Sequence, residues 1–127
     1  MSVLIDTDVL IEYLRGNAVI VGRLVQEIGK GTRLYFSPVT KTEIVAGLRK
    51  GEEEITARLF SLMGCLSIDE DTGRKAGEYM KSYRASHSVE IADALVAAAA
   101  YQNDTPLWTL NRKHYPMRDV DFFDPRK

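Results

Sequence analysis

The chain of 127 residues has a single cysteine, Cys65, so no internal disulfide can form. One unpaired thiol fits a reducing compartment and leaves no cysteine cluster for zinc. Histidine is also scarce: His87 and His114 are the only two, and they have no metal-pair spacing. An excess of either charge is missing, since 17 basic and 18 acidic residues leave a formal net charge of −1. A polyanionic partner would need a local basic patch, because global attraction is absent. No apolar run approaches the roughly 20 residues of a membrane span. The opening Met1-Ser2-Val3-Leu4-Ile5-Asp6 lacks a basic n-region and meets an acid at once, unlike a secretory leader. These absences predict a cytoplasmic chain with no membrane contact.

What remains is ordinary globular composition, 45% hydrophobic and 28% charged. A chain this short is expected to form one domain over residues 1–127, with a core that needs no disulfide or structural metal. The hydrophobic period alternates along it. Residues 2–5 form a short strand candidate ending at Asp6, and Asp8 can cap a helix over residues 9–14 that Gly16 stops. Asn17 can cap a second helix, with Ile20, Leu24 and Ile28 at helical spacing. Residues 33–36 predict a second strand. Ser37-Pro38 then reads as an N-cap with proline at the first helical position, opening a helix to Leu48. Ile55, Leu59, Leu62 and Met63 share one face of another helix. Residues 65–68 predict a third strand, and Ala76, Tyr79, Met80 and Tyr83 a further helical stripe. Ser88 can cap the alanine-rich helix around residues 91–101. Residues 106–110 predict a fourth strand and 119–123 a fifth. Strands separated by helices imply a three-layer α/β/α sandwich around a mostly parallel sheet of four to five strands.

Such sheets bind ligands beyond the carboxyl ends of their strands, where the strand order reverses. Asp6 directly follows the first strand. Glu43 lies within the first two turns of the helix leaving the second. Asp93 lies in the first turns of the helix feeding the fourth, and Asn111 just past that strand. Spacing permits all four to meet at one edge without demanding it. Each also has a plain structural alternative. Asp6 can be a turn acid, Glu43 can form a capping box with Thr40, and Asp93 can be an acid favoured by the start of its helix. Asn111 can be a turn residue, and Asp8 reads more readily as an N-cap than as a ligand.

Three carboxylates in one pocket would repel one another unless a cation intervened. A hard, oxygen-loving ion is the natural choice, Mg²⁺ or Mn²⁺, and such sites usually serve phosphate chemistry.

At these residues the sequence resembles the PIN-domain ribonucleases, in particular the VapC-type toxins of toxin–antitoxin pairs. The likeness covers nearly the whole chain. Val3-Leu4-Ile5-Asp6-Thr7-Asp8-Val9-Leu10-Ile11 looks like the family's first motif, whose first acid is a metal ligand. Ser37-Pro38-Val39-Thr40-Lys41-Thr42-Glu43 is similar to the Ser/Thr-rich segment ending in the second acid. Ile91-Ala92-Asp93-Ala94-Leu95-Val96-Ala97-Ala98-Ala99 resembles the third motif. Leu107-Trp108-Thr109-Leu110-Asn111-Arg112-Lys113-His114-Tyr115 looks like the fourth, with Thr109 at its hydroxyl position. Asn111 departs from the pattern, since many members carry a fourth acid there. This puts a second metal in question, with Asp119 or Asp121 as candidate substitutes.

The resemblance implies a metal-dependent endoribonuclease in which Asp6 and Asp93 bind the ion directly. Glu43 would act through water, and Thr109 and Asn111 would hold the solvent shell. It also implies an RNA substrate, a homodimer and a cognate antitoxin that blocks the site. Lys41, Arg49, Lys50, Arg112 and Lys113 are candidates for phosphate contact. Two alternatives stand beside this reading. One is a PIN scaffold that binds RNA or protein with little catalysis. The other is a haloacid-dehalogenase-like phosphatase, echoed in Asp6-Thr7-Asp8.

Overall fold

A computed structural model describes residues 1–126. Its organising element is β1, Ser2–Ile5, whose side chains alternate between two cores. Val3 and Ile5 face one apolar cluster and Leu4 the other, and all three are fully buried. A strand buried on both faces needs helices on both sides, and this gives the three layers.

On the Val3/Ile5 side lie α1 (Thr7–Leu14), α2 (Ala18–Gly29) and α4 (Glu53–Ser61). The Leu4 side is covered by α5 (Glu70–His87) and α6 (Ile91–Gln102). The helix α3, Pro38–Ala46, gives Ile44 to the first core and runs beside α6. Strand order is β3-β2-β1-β4 and every pairing is parallel, with β2 at Arg33–Phe36, β3 at Gly64–Cys65 and β4 at Leu107–Trp108. The chain steps outward from β1 to β3 and then returns to the opposite flank of β1. The order of strand addition therefore reverses between β1 and β4, at the ends of which Asp6 and Thr109 stand.

Local chemistry accounts for most boundaries. Ser37 caps α3 by accepting from the Thr40 N–H, with Pro38 at the first helical position. After α1, Gly16 takes a left-handed backbone at φ 79°, a conformation open to glycine at no steric cost. Asn17 caps α2 as expected. In α6, Ala94, Ala97, Ala98 and Ala99 are fully buried, so small side chains let this helix lie close against the sheet.

Several expectations are corrected. Helix α1 begins at Thr7, so Asp6 is its N-cap and Asp8 lies inside the first turn. The cap differs because Asp6 accepts from the Thr7 N–H, whereas Asp8 reaches across to the segment after β4. Helix α3 ends at Ala46, short of Leu48. Helix α4 buries Thr56, Leu59 and Phe60, while Ile55 and Leu62 face outward, as does Ile28 of α2. The third strand is Gly64–Cys65 rather than residues 65–68. Ser88 does not cap α6; it ends α5 in a left-handed conformation. The fifth strand shrinks to one bridge, Leu107 with Phe122.

Candidate active site

At the carboxyl edge, Asp6, Asp8, Glu43, Glu90 and Asp93 line one cavity of about 370 Å³, with His87, Asn111 and His114. All four residues picked from the sequence as a site therefore share one cavity. Among the described residues, no lysine or arginine lines it.

Asp6 is held by the hinge between β1 and α1. Its backbone N–H donates to the Trp108 carbonyl at 2.9 Å, locking it to β4. One carboxylate oxygen accepts from the Thr7 N–H at 2.8 Å. The other accepts from the Thr109 hydroxyl at 2.9 Å and from the Tyr115 hydroxyl at 2.7 Å. Burial, reinforced by the Asp6 charge, pushes the Tyr115 phenol well above its ordinary range, so it remains a donor.

Asp8, which the sequence offers as a cap, belongs to the same cluster. Its Oδ2 accepts from the Leu110 N–H at 3.1 Å, and Thr109 Oγ1 lies 3.3 Å away. Its Oδ1 is buried with no hydrogen-bond partner among the described residues. Burial first, and the neighbouring Asp6 charge second, push its carboxyl up to about 6. Asp93 is half-buried in the first turn of α6 and also rises, chiefly by burial. His114 opposes that rise and Asp6 adds to it.

Glu43 sits on the outer side of the cavity, exposed, and its Oε1 takes the Thr7 hydroxyl at 2.6 Å. Thr7 and Thr40 hydroxyls lie 2.9 Å apart, so Thr40 supports Glu43 through Thr7 rather than by capping. Asn111 is exposed, and its Nδ2 lies 3.0 Å from His114 Nε2. The Thr109 hydroxyl lies 2.9 Å from Asp6 Oδ2 and 3.3 Å from Asp8 Oδ2, so it bridges the two acids.

Neither proposed substitute for a fourth acid reaches the cavity. Asp119 is bound by Lys75 at 2.9 Å and Tyr79 at 2.7 Å, and with Asp121 it lines a separate cavity beside the end of α6. Of the basic candidates, Lys41 places its ammonium 4.1 Å from the centre of the Phe60 ring.

Among the described residues, no three His, Cys, Asp or Glu side chains are arranged tightly enough to hold a metal ion as they stand. The acids are engaged in hydrogen bonds: Asp6 and Asp8 with the segment after β4, and Glu43 with Thr7. The donor set still suits a hard cation. It has five carboxylates beside two histidines, it includes Asp8 Oδ1, buried with no partner among the described residues, and it carries two carboxyls whose proton affinity is raised. Magnesium needs only one or two carboxylates and keeps several waters, so a closed protein cage is not required.

Residues 3–122 match the family model described as PIN domain. The chain belongs to the PIN-domain family. Over 115 residues it is 33% identical to ribonuclease VapC19 of Mycobacterium tuberculosis, covering 90% of this chain and 92% of that one. With ribonuclease VapC10 of the same organism it shares 37% over 116 residues, covering 91% and 86%. The FitAcB structure from Neisseria gonorrhoeae superposes with a TM-score of 0.74 at 27% identity, covering 98% of each chain. This PIN domain is therefore matched along almost its whole length, and the phosphatase alternative falls away.

The residues that the sequence reading missed are Asp8, Thr7, Tyr115 and His114. For Asp8 and Thr7 a signal existed, since both stand inside the first motif. Tyr115 and His114 close the fourth motif, but nothing in their spacing points toward Asp6 or Asn111.

Proposed function

We propose that this PIN domain is a divalent-metal-dependent endoribonuclease that hydrolyses RNA phosphodiester bonds, the toxin of a VapBC-type pair. Asp6, Asp93 and Glu43 would hold Mg²⁺ or Mn²⁺, and the structure supports adding Asp8. The observation that carries the reading is the Asp8 Oδ1, buried without a partner among the described residues, beside Asp6 in a cavity shared with Glu43 and Asp93. A carboxylate oxygen left so is costly unless a cation or proton meets it.

Bound there, a divalent ion supplies a water of lowered pKa and offsets charge on the phosphoryl oxygens, worth several kcal/mol of barrier. The chain's own part is orientation. Tyr115 and Thr109 hold the Asp6 carboxylate from below, and Leu110 N–H holds Asp8. Glu43, exposed and hydrogen-bonded by Thr7, would bind the ion through water or orient the attacking water. Asn111 and His114 would bind the substrate side of the cavity as a hydrogen-bonded pair. A homodimer, a cognate antitoxin and a cytoplasmic location belong to the same proposal. They rest on the family likeness, and no described helix is long and apolar enough to cross a membrane.

The test is to map ends generated in total cellular RNA by the native protein and by Asp6→Asn, each with Mn²⁺ and with EDTA. Ends that need both Asp6 and the metal are expected. RNA that stays intact after long incubation, despite measurable binding, would support the weakly catalytic scaffold instead.

A further inference from the structure

The acid cavity has no lysine or arginine among the described residues of its lining, yet a phosphodiester strand crossing it carries one charge per nucleotide. Next to it lies a groove of about 690 Å³ with the opposite character. Arg23 reaches it from α2, Arg112 and Lys113 from the turn after β4, and Arg126 from the C-terminal segment. Three remote parts of the chain thus deliver four cations to one groove. Its only acid among the described residues is Asp124, which pairs with Arg126 through two bonds of 3.1 Å. In a chain of net charge −1, that is a local basic patch.

Continuity ties the groove to the acids. Thr109 and Asn111 stand in its wall, and Asn111 also lines the acid cavity. A strand leaving the acid cavity past Asn111 enters the groove directly. Arg112 stands in the groove wall with its guanidinium 4.9 Å from the centre of the ring of Phe122, a residue outside the groove lining. The aromatic residues of the groove, Trp108 and Phe123, are 1% and 7% exposed. They form a floor and offer no free face for stacking bases.

Resting on the ribonuclease reading, we infer that this groove is the binding path for the RNA backbone flanking the cleaved bond. It holds phosphates through Arg23, Arg112, Lys113 and Arg126 and is indifferent to base identity. Cations that meet only phosphates position a strand without reading its sequence.

The experiment measures affinity of the full chain in EDTA for fluorescein-labelled single-stranded RNAs of two unrelated sequences, by anisotropy, between 50 and 200 mM KCl. Removing one phosphate-bound cation makes the slope of log K against log salt shallower by about 0.7. Arg23→Ala with Arg126→Ala should reduce it by about 1.4, and Lys113→Ala alone by about 0.7, equally for both RNAs. Lys113 is exposed, so its variant keeps the test alive if the double variant melts early. Lys81→Ala, on exposed α5 surface, should leave the slope unchanged. An unaltered slope in the groove variants, or a weakening confined to one RNA, overturns the inference. Slope changes in a protein that never cleaves RNA would uphold the groove and reject the nuclease reading.

Discussion

Buried at the start of α1, Asp8 has one oxygen met by the Leu110 N–H and the other by nothing among the described residues. Its carboxyl, pushed up to about 6 by burial and by Asp6, lies above the unfolded value of roughly 3.9. Between those values the native state binds more protons than the unfolded chain. Stability from this group is therefore lost as pH rises from about 4 through about 6. Two full units would cost about 3 kcal/mol, and solvent screening in an open cavity leaves about 1–2 kcal/mol. Asp8→Asn keeps an acceptor for Leu110 and removes the charge. In EDTA its melting temperature should match native near pH 4 and exceed it by roughly 3–8 °C above pH 6. The same offset at both pH values would remove the charge explanation. Tyr115 supplies the opposite case. Its hydroxyl donates to Asp6 from a buried position, so Tyr115→Phe should cost about 1.5–3 kcal/mol in urea unfolding, the range for a bond to a charged group.

Helix α6 carries Asp93 on its first turn and a fully buried stripe of alanines behind it. The small side chains set the distance from helix to sheet, so the acid's position depends on them. Ala97→Leu would add three carbons where exposure is 0% and should cost about 1–3 kcal/mol by overpacking. RNA cleavage should fall further than the folded fraction at the same temperature, because Asp93 moves with the helix. Parallel loss of both would mean that α6 packing does not set the acid. Elements like this were legible because their signals are local: the short apolar run of β1, the Ser37-Pro38 start of α3, the glycine after α1. The illegible ones depended on partners far along the chain. Asp8 resembles a cap until Leu110 is brought to it across the sheet. The outward turn of Ile55 and Leu62 follows from Leu59 and Phe60 filling the space beside Phe36, a packing no helical period reveals. Residues 119–123 lacked room for a full ladder beside the two-residue β4.

Across the whole molecule, the site comes together at the point where the strand order reverses between β1 and β4. Order along the chain permitted Asp6, Glu43, Asp93 and Asn111 to meet at one edge, and in the structure all four line one cavity. What order cannot give is the tethering: Asp6 and Asp8 are both held by donors from residues 109–115, Thr109 reaching both, while Glu43 is held by Thr7 of α1. Metal binding should therefore couple to folding as a whole. A ligand that binds only the native state stabilises by about 2.7 kcal/mol at one hundred times its Kd. Added Mn²⁺ should raise the native melting temperature by several degrees above pH 7 and leave Asp93→Asn unmoved. Protons compete for the same oxygens, and Asp8 and Asp93 both hold theirs more tightly than ordinary acids. The Mn²⁺ shift should accordingly shrink between pH 7.5 and pH 5, and in Asp8→Asn that pH dependence should flatten. An equal shift in native protein and Asp93→Asn would place the ion somewhere other than this cavity.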